Sequence, residues 1–231
     1  MRALLLMGGP EYHDLPEHYA ELAGILAGEA GVDLRITRDL GVLSADGLAP
    51  YDVLVNWTTF VRPSEEQVDA LLEAIHGGLG FLGIHGATAT FWNSAPYLET
   101  LGSRFLKHDP YKEFLVEITE QGHPITQGVS NFLVSDELYE LGGETSAFAE
   151  FAARYSAGEP YTGETAALGE GPLADDITVL AFAEGHPLLY TRQIGEGRLH
   201  VNALGHDRAA LTNPSFRQLV RQGLAWVAGD T

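Results

Sequence analysis

Short apolar runs alternate with helix-like segments along the first 90 residues of the chain. Three of the runs are continuously apolar, as in strands buried on both faces of a sheet, and the fourth, VDLRIT, alternates. Apolar positions recur at helical spacing after Pro16 and again after Pro63, and Gly77 ends the second of these helices. The order β-α-β, β-α-β predicts a parallel sheet with helices on both faces. The four predicted strands cover residues 2–7, 32–37, 51–57 and 80–84.

The second half of the chain has a less regular pattern. Residues 142–176 are rich in Gly, Ala, Glu and Pro and show little periodicity, so an irregular insertion or lid is expected there. The Gly-Glu-Gly at 195–197 separates two apolar runs and predicts a hairpin turn, and Pro214 begins a final amphipathic helix. No linker divides residues 1–231, which predicts a single domain. Further strands are predicted at residues 113–118, 137–141, 177–183, 187–194 and 198–204.

The chain is strongly acidic, because its 231 residues include 32 Asp and Glu against 13 Lys and Arg, a formal net charge of −19. This charge repels phosphate backbones and anionic membrane surfaces, so neither nucleic acid nor a membrane is an expected partner. The first apolar run is too short for a signal sequence, and no segment reaches the roughly 18 apolar residues of a membrane span. We therefore expect a soluble, cytoplasmic protein whose partner is a small molecule, with a homo-oligomer as the base-rate expectation.

Several polar side chains follow directly after predicted strands. His13 and Asp14 follow the first strand, His85 follows the fourth, and His206 and Asp207 follow the last. Ligands of an open parallel sheet bind beyond the carboxyl ends of its strands, so we expect His13, His85 and His206 to lie close together. A single histidine at a strand end is usually a hydrogen-bonded turn or core residue, and the coincidence of three carries more weight.

The segment GFLGIHGATATFW, residues 80–92, predicts a strand that ends in a tight turn. Such a turn carries a Ser or Cys nucleophile in many hydrolases and amidotransferases, whereas here the position holds His85, and Gly86 after it indicates a crowded backbone. The chain contains no cysteine, which excludes disulfides, thiolate metal ligands and a cysteine nucleophile. His18 lies in a helical pattern and is expected on the surface.

Six segments occur in a characteristic order: YHD (12–14), GFLGIHGAT (80–88), GSRFLKH (102–108), HPITQG (123–128), SDELYEL (135–141) and GEGRLHVNALGHDRAALTNPSFRQL (195–219). Together they resemble the trehalose-utilisation, or ThuA-like, family over nearly the whole chain. The resemblance implies a class I glutamine amidotransferase-like fold, which is an α/β, flavodoxin-like, three-layer α/β/α sandwich with a mostly parallel sheet. It also implies a link to disaccharide or ketosugar metabolism.

Amidotransferases of this fold use a Cys at the strand-end turn and a His after a late strand. The resemblance places His85 at the first position and His206 at the second, and the absence of cysteine excludes thiol-based glutamine hydrolysis. Two positions depart from the family pattern. Ala89 stands where an acid is common, and His108 is followed by Asp109 where His-Pro is common.

Imidazoles titrate near neutral pH and can act as acid and base, and a neighbouring carboxylate can fix their tautomer. The expected catalytic residues are therefore His85, His206, Asp207 and Glu137. Arginines can bind a carboxylate or stabilise an oxyanion, and aromatic rings can stack on a sugar, although core packing is the commoner role of an aromatic residue. The residues expected to bind substrate are His13, Asp14, Trp57, Arg62, Thr88, Trp92, Arg104, His108 and Arg208.

Three classes of function are open. The first is an enzyme, needing no cofactor, that hydrolyses, eliminates from or isomerises a disaccharide or ketosugar with His85 and His206 as acid and base. The second is a metal-dependent hydrolase in which His13, His85 and His206 bind zinc or another divalent ion, although no HExxH-type spacing supports it. The third is a non-catalytic carbohydrate- or partner-binding protein that retains the fold, which Ala89 favours.

Overall fold

A computed structural model describes residues 1–11, 13, 15–29 and 31–229. The strands are β1 (Arg2–Gly8), β2 (Asp33–Thr37), β3 (Val53–Thr58), β4 (Gly80–Ile84), β5 (Arg104–His108), β6 (Lys112–Ile118), β7 (Phe132–Asp136), β8 (Tyr139–Gly142), β9 (Thr178–Ala183), β10 (His186–Ile194) and β11 (Gly197–Asn202). The α-helices are α1 (Pro16–Ala27), α2 (Ala45–Leu48), α3 (Glu65–His76), α4 (Ala95–Leu101), α5 (Phe148–Ser156), α6 (Gly163–Ala167), α7 (Arg208–Thr212) and α8 (Pro214–Val227). Within these residues a nine-stranded sheet has the order β2-β1-β3-β4-β11-β10-β9-β6-β7, and β5 pairs with β8 in a second sheet.

One half of the large sheet is parallel. It consists of β2, β1, β3, β4 and β11, and the four strands predicted in the first 90 residues are confirmed. Every residue of β3 and β4 is buried, which explains why these strands read as continuous apolar runs. Because the strands are parallel, the carboxyl ends of β1, β3, β4 and β11 meet at one edge of the sheet.

The other half of the large sheet is antiparallel. β10 and β11 form a hairpin in which Ile194 pairs with Gly197, so the predicted turn at 195–197 is confirmed. β9, β6 and β7 continue the sheet with antiparallel pairing. Asn213 caps the final helix, α8, by accepting hydrogen bonds from the N–H groups of Ser215 and Phe216.

The strand predicted at 137–141 corresponds to β8, which begins two residues later than expected, and β7 ends just before the predicted interval. β7 ends at Asp136, and β8 begins at Tyr139 and pairs with β5. The Asp136 carboxylate accepts a hydrogen bond from the N–H of Glu137 at 2.8 Å, which diverts the chain between the two strands. The sequence did not predict β5 or β7, because each mixes apolar and polar residues over only five positions.

The interval 142–176, expected to be irregular, contains the two short helices α5 and α6. Arg104 of β5 holds this interval in place. Its buried guanidinium donates hydrogen bonds to the carbonyl oxygens of Thr165 at 3.1 Å, Ala166 at 2.6 Å and Leu168 at 2.7 Å. It also lies 3.8 Å from the centre of the Phe151 ring. The backbone of the interval is therefore attached to β5 through the Arg104 side chain.

Helices cover both faces of the large sheet. Crossovers between parallel strands are right-handed, and β2 and β4 lie on opposite sides of the β1-β3 pair, so α1 and α3 pack on opposite faces. α1 packs with α7 and α8, whereas α3 packs with α2 and α4. The α/β, flavodoxin-like sandwich predicted from the sequence is thus confirmed. Among the helices of the described residues, none has the length and apolarity needed to cross a membrane.

Candidate functional site

The turn after β4 holds His85 in a strained backbone conformation. His85 has a φ of 45°, in the left-handed region that residues with a Cβ seldom adopt. The next residue is Gly86, where an added Cβ would lie 2.0 Å from Oγ1 of Thr59 and 2.6 Å from the carbonyl oxygen of Thr58. The turn therefore packs directly against the end of β3, and it fixes the His85 side chain at the edge where the parallel strands end.

The hydrogen bonds of the fully buried His85 ring define its tautomer. Nδ1 lies 3.1 Å from the carbonyl oxygen of Ala203, which can only accept, so Nδ1 carries the proton. In the neutral ring Nε2 then has the lone pair, and the hydroxyl of Tyr139 lies 2.8 Å from it. Nε2 is the reactive or ligating atom of His85.

Asp136 positions the second histidine, His206, which follows β11. The buried Asp136 carboxylate accepts hydrogen bonds from the N–H groups of Gly205 at 2.7 Å and His206 at 3.3 Å. Burial raises the pKa of Asp136, against the lowering effect of His85 and of the hydrogen bonds from the N–H groups of Gly205 and Glu137. The end of β7 thus fixes the loop after β11.

Glu137 lies between the imidazoles. Its Oε2 is 3.2 Å from Nδ1 of His206 and 3.5 Å from Nε2 of His85, and its Oε1 is 3.6 Å from Nε2 of His108. Burial favours the neutral carboxyl, but the interactions with His206 and His85 outweigh it and hold the pKa of Glu137 well below its usual range. Burial likewise opposes charge on His206, yet Glu137 raises the pKa of His206 above its ordinary value.

His13 completes the group. Its ring centre lies 5.4 Å from that of His85 and 4.7 Å from that of His206. Burial, followed by electrostatic interaction with the neighbouring His85 and His206, lowers the pKa of His13 to about 3, so its ring is neutral at pH 7. One ligand atom from each of the three histidines lies within 4.8 Å of the others. We call His13, His85, His206 and Glu137 the imidazole cluster.

A pocket of about 530 Å³ adjoins the cluster, which is within the size range of small-molecule sites. Residues from the turns after β1, β3 and β4, from β5, and from the segment around α6 line it. Ala89, where the resemblance leads us to expect an acid, is part of its wall. The lining residues are His13, Thr59, Phe60, Ala89, Phe105, Leu106, Lys107, His108, Glu137, Tyr139, Tyr161, Thr162, Gly163 and Ala166.

The structure brings together five of the residues selected from the sequence: His13, His85, His108, Glu137 and His206. Their expected roles in catalysis and binding stay predictions.

Three other selected residues support the loops around the cluster. Trp57 is buried and donates a hydrogen bond from Nε1 to the carbonyl oxygen of Gly205 at 3.2 Å. The buried Trp92 donates from Nε1 to the carbonyl oxygen of Thr88 at 3.1 Å, and the Thr88 hydroxyl donates to the carbonyl oxygen of His85 at 3.3 Å. Both indoles are therefore packing residues, and neither offers a free ring face to a sugar.

The selected charged residues outside the cluster have structural partners. Asp207 caps α7 through the N–H groups of residues 209 and 210, and its other oxygen accepts from a tyrosine hydroxyl. Arg62 stacks on a tyrosine ring at 4.0 Å, and Arg208 pairs with a glutamate at 3.2 Å. Arg104 is committed to the 165–168 backbone. Of the described residues that line the pocket, none is an arginine.

Two further expectations remain from the sequence. His18 is buried against Trp57, with ring centres 6.2 Å apart, so its predicted surface position is wrong; the inner face of α1 carries it. Asp14 lies outside the described residues.

Sequence reasoning missed Tyr139, Phe60 and Tyr161. A signal for Tyr139 was present, because alternate residues of the predicted 137–141 strand share one side, and Glu137 was already selected. No pattern marks Phe60 or Tyr161, since both lie in irregular segments of the chain.

Comparison with known families and structures gives one family. The ThuA family model, described as trehalose utilisation, matches residues 2–227. A ThuA-like protein from Parabacteroides merdae superposes with a TM-score of 0.75 at 18% identity, covering 100% of this chain and 91% of that one. A ThuA-like protein from Bacteroides uniformis gives 0.71 at 17% identity, covering 98% and 91%. A cytoplasmic protein from Salmonella typhimurium gives 0.65 at 16% identity, covering 99% and 98%. Comparison with curated proteins found no match.

Proposed function

Because the chain belongs to the ThuA family, whose description is trehalose utilisation, we propose that it is an enzyme that acts on a disaccharide or ketosugar by acid/base chemistry at the imidazole cluster. One observation carries the proposal: the Glu137 carboxylate lies between Nδ1 of His206 and Nε2 of His85 in the wall of a 530 Å³ pocket. Acid/base catalysis needs a proton donor and a proton acceptor within reach of one bound molecule. Glu137 lines the pocket and contacts both imidazoles, and we propose His206 and His85 as that pair.

The hydrogen bonds of the two imidazoles indicate which ring donates a proton and which accepts one. A carboxylate only accepts, so Nδ1 of His206 donates to Glu137, which stabilises the form of His206 with both nitrogens protonated. His206 is thus the proton donor to a leaving oxygen or to a carbonyl. His85 keeps a lone pair on Nε2 and is the acceptor, with the Tyr139 hydroxyl as its neighbour at the pocket. Hydrolysis, elimination and isomerisation of a sugar all use such a pair.

The proposal is tested with Glu137→Gln, which keeps the size of the side chain but removes its charge. We expect the turnover of trehalose or 3-keto-trehalose to fall by roughly 10²- to 10⁴-fold, while circular dichroism shows a folded protein. His76→Ala is the control, since His76 is exposed at the end of α3. Wild-type turnover in Glu137→Gln would contradict the proposal. Sugar binding without turnover in the wild-type protein would instead favour a non-catalytic carbohydrate-binding protein.

A second function, metal-dependent hydrolysis, is favoured by one set of distances. Nε2 of His85, Nδ1 of His206 and Oε2 of Glu137 are 3.2, 3.3 and 3.5 Å apart. Ligands about 2.0–2.1 Å from a tetrahedral zinc ion lie about 3.3 Å from one another, so this triangle has the size of one face of such a site. His13 offers one ligand atom within 4.8 Å of those of His85 and His206 and is the candidate fourth ligand. The hydrogen bond from Nδ1 of His85 to a backbone carbonyl is also typical of metal-binding histidines.

Metal analysis of protein purified without a His tag separates the two functions. If a divalent ion binds in stoichiometric amount, His206→Ala should lose it. His108→Ala should retain it, because His108 meets the other oxygen of Glu137 and lies outside the triangle. Such an ion would supply an activated water for hydrolysis. Metal-free protein with full activity would rule this second function out. A cytoplasmic location, which the description of the similar Salmonella protein supports, belongs to both proposals.

A further inference from the structure

Two aromatic side chains of the pocket are exposed, although the large apolar side chains of this protein are mostly buried. Phe60 is 41% exposed and Tyr161 is 39% exposed, and both line the pocket that contains Glu137. Exposed aromatic surface inside a pocket is unfavourably solvated in the unliganded protein. A ligand that covers the rings removes this unfavourable solvation free energy.

The backbone conformation of Phe60 costs free energy in addition to the exposure of its ring. Phe60 has a φ of 55°, which is unfavourable for any residue with a Cβ. The N–H of Phe60 donates to the carbonyl oxygen of Ala89 at 2.9 Å, and the N–H of Phe91 donates to the carbonyl oxygen of Val61 at 3.0 Å, so the turns after β3 and β4 impose this conformation. Glycine would adopt it without strain. A strained, exposed phenylalanine next to an acid/base cluster points to a role in binding.

One buried indole supports both rings from behind. The Trp92 ring centre lies 5.2 Å from that of Phe60 and 4.8 Å from that of Tyr161. The Tyr161 hydroxyl lies within hydrogen-bond distance of the carbonyl oxygens of Phe105, at 3.1 Å, and Leu106, and its single proton is shared between them. The two rings are therefore held in place before any ligand arrives, which lowers the entropy cost of binding. The sequence singled out Trp92 for stacking; the structure places it one layer behind the rings that face the pocket.

We propose that Phe60 and Tyr161 form an aromatic platform of two inclined rings that packs against a neutral pyranose ring. The face of an aromatic ring carries a negative quadrupole, which attracts the polarised C–H groups of a sugar ring. The Thr59 and Thr162 hydroxyls in the same lining can bond to sugar hydroxyls. The Glu137 carboxylate and the net charge of −19 disfavour phosphorylated sugars and nucleotides. The inference rests on the proposed function and deepens it by naming the residues that hold the sugar.

Calorimetric titration with trehalose, maltose, cellobiose and sucrose tests the platform, with trehalose 6-phosphate as the charged comparison. We expect at least one neutral disaccharide to bind, and its Kd to rise about tenfold in Phe60→Leu and in Tyr161→Leu. Phe60→Gly should also bind weakly, yet unfold at the wild-type temperature or above, because it removes strain and exposed apolar surface. A purely structural Phe60 would instead give a lower unfolding temperature.

Phe91→Leu is the matched control. Phe91 shares the left-handed backbone of Phe60, with a φ of 52°, but is fully buried and outside the pocket lining, so its replacement should lower the unfolding temperature without changing Kd. The platform is refuted if no neutral disaccharide binds, if Phe60→Leu and Tyr161→Leu keep the wild-type Kd, or if the phosphate ester binds more tightly. Binding without turnover would leave the platform intact and refute the enzyme, whereas turnover with an unchanged KM in Phe60→Leu would refute the platform alone.

Discussion

A buried histidine far from the pocket should make this protein sensitive to acid. The His200 ring lies between β11 and α8, where a Cβ added to Gly223 would be 2.7 Å from Cδ2 of the ring. Nδ1 donates to the carbonyl oxygen of Tyr190 at 2.9 Å, and Nε2 has no hydrogen-bond partner among the described residues. Burial, together with the nearby positive charge of His123, lowers the pKa of His200 to about 4, against the raising effect of that hydrogen bond.

The sign of the pH dependence follows from this lowered pKa. The unfolded chain binds a proton on His200 below its ordinary value of 6.5, whereas the folded protein resists until about pH 4. The contribution of the neutral His200 to the free energy of unfolding is therefore fully present above pH 6.5 and is lost as the pH falls towards 4. The difference of 2.5 pKa units corresponds to a total of about 3 kcal/mol of unfolding free energy. About 2 kcal/mol of this should disappear between pH 7 and pH 5.

His200→Asn tests the prediction, because its amide nitrogen can occupy the place of Nδ1 without titrating. Urea unfolding at pH 7, 6 and 5 gives the free energy of unfolding of each protein. The variant should be less stable at pH 7, since its side chain is smaller, but should lose about 2 kcal/mol less than the wild type on going to pH 5. His76→Asn, at an exposed position, should follow the wild type. An equal loss in His200→Asn and the wild type would refute the reasoning.

Two further predictions concern the turn after β4 and the interval around α6. Gly86→Ala should lower the free energy of unfolding by about 3 kcal/mol, because its Cβ would overlap the end of β3. Gly24→Ala, on the exposed side of α1, should raise the free energy of unfolding by about 0.5–1 kcal/mol. Equal melting temperatures of the two variants would contradict this prediction. Arg104→Met should lower the free energy of unfolding by about 3 kcal/mol and speed proteolysis within residues 157–168. Arg154→Met, which breaks only surface ion pairs, should leave both nearly unchanged. An unchanged proteolysis pattern in Arg104→Met would contradict its role as an anchor.

The sequence predicted the parallel half of the sheet because buried parallel strands are continuous apolar runs. It missed β5 and β7 because short strands of mixed polarity resemble loops. The convergence of His13, His85 and His206 followed from a single geometric rule, that the ends of parallel strands meet. Nothing comparable was available for Arg104, whose acceptors lie some 60 residues further along the chain.

The sequence also does not predict which aromatic side chains face the pocket. Trp92 and Phe60 are both large rings in turns after strands, and the sequence does not distinguish the one that is buried from the one that faces the pocket. That distinction depends on how the turns after β3 and β4 pack on each other and on the interval around α6. Local patterns therefore predict which edge of the sheet carries the site, but not which side chains form its surface.

The anchoring of the interval around α6 has a consequence for how this pocket can change. Arg104 donates hydrogen bonds to main-chain oxygens, which every amino acid possesses, so these bonds do not depend on the side chains of the segment. The side chains at 162–164 and 166 can then change, by mutation or by design, while the backbone stays attached to β5. Tyr161 and Thr165 are exceptions, because their hydroxyls form hydrogen bonds that hold the segment. The acid/base groups come from other strands and would be untouched. Under the proposed function, the sugar-binding wall and the imidazole cluster therefore depend on different parts of the chain, so that ligand preference could change without altering the cluster.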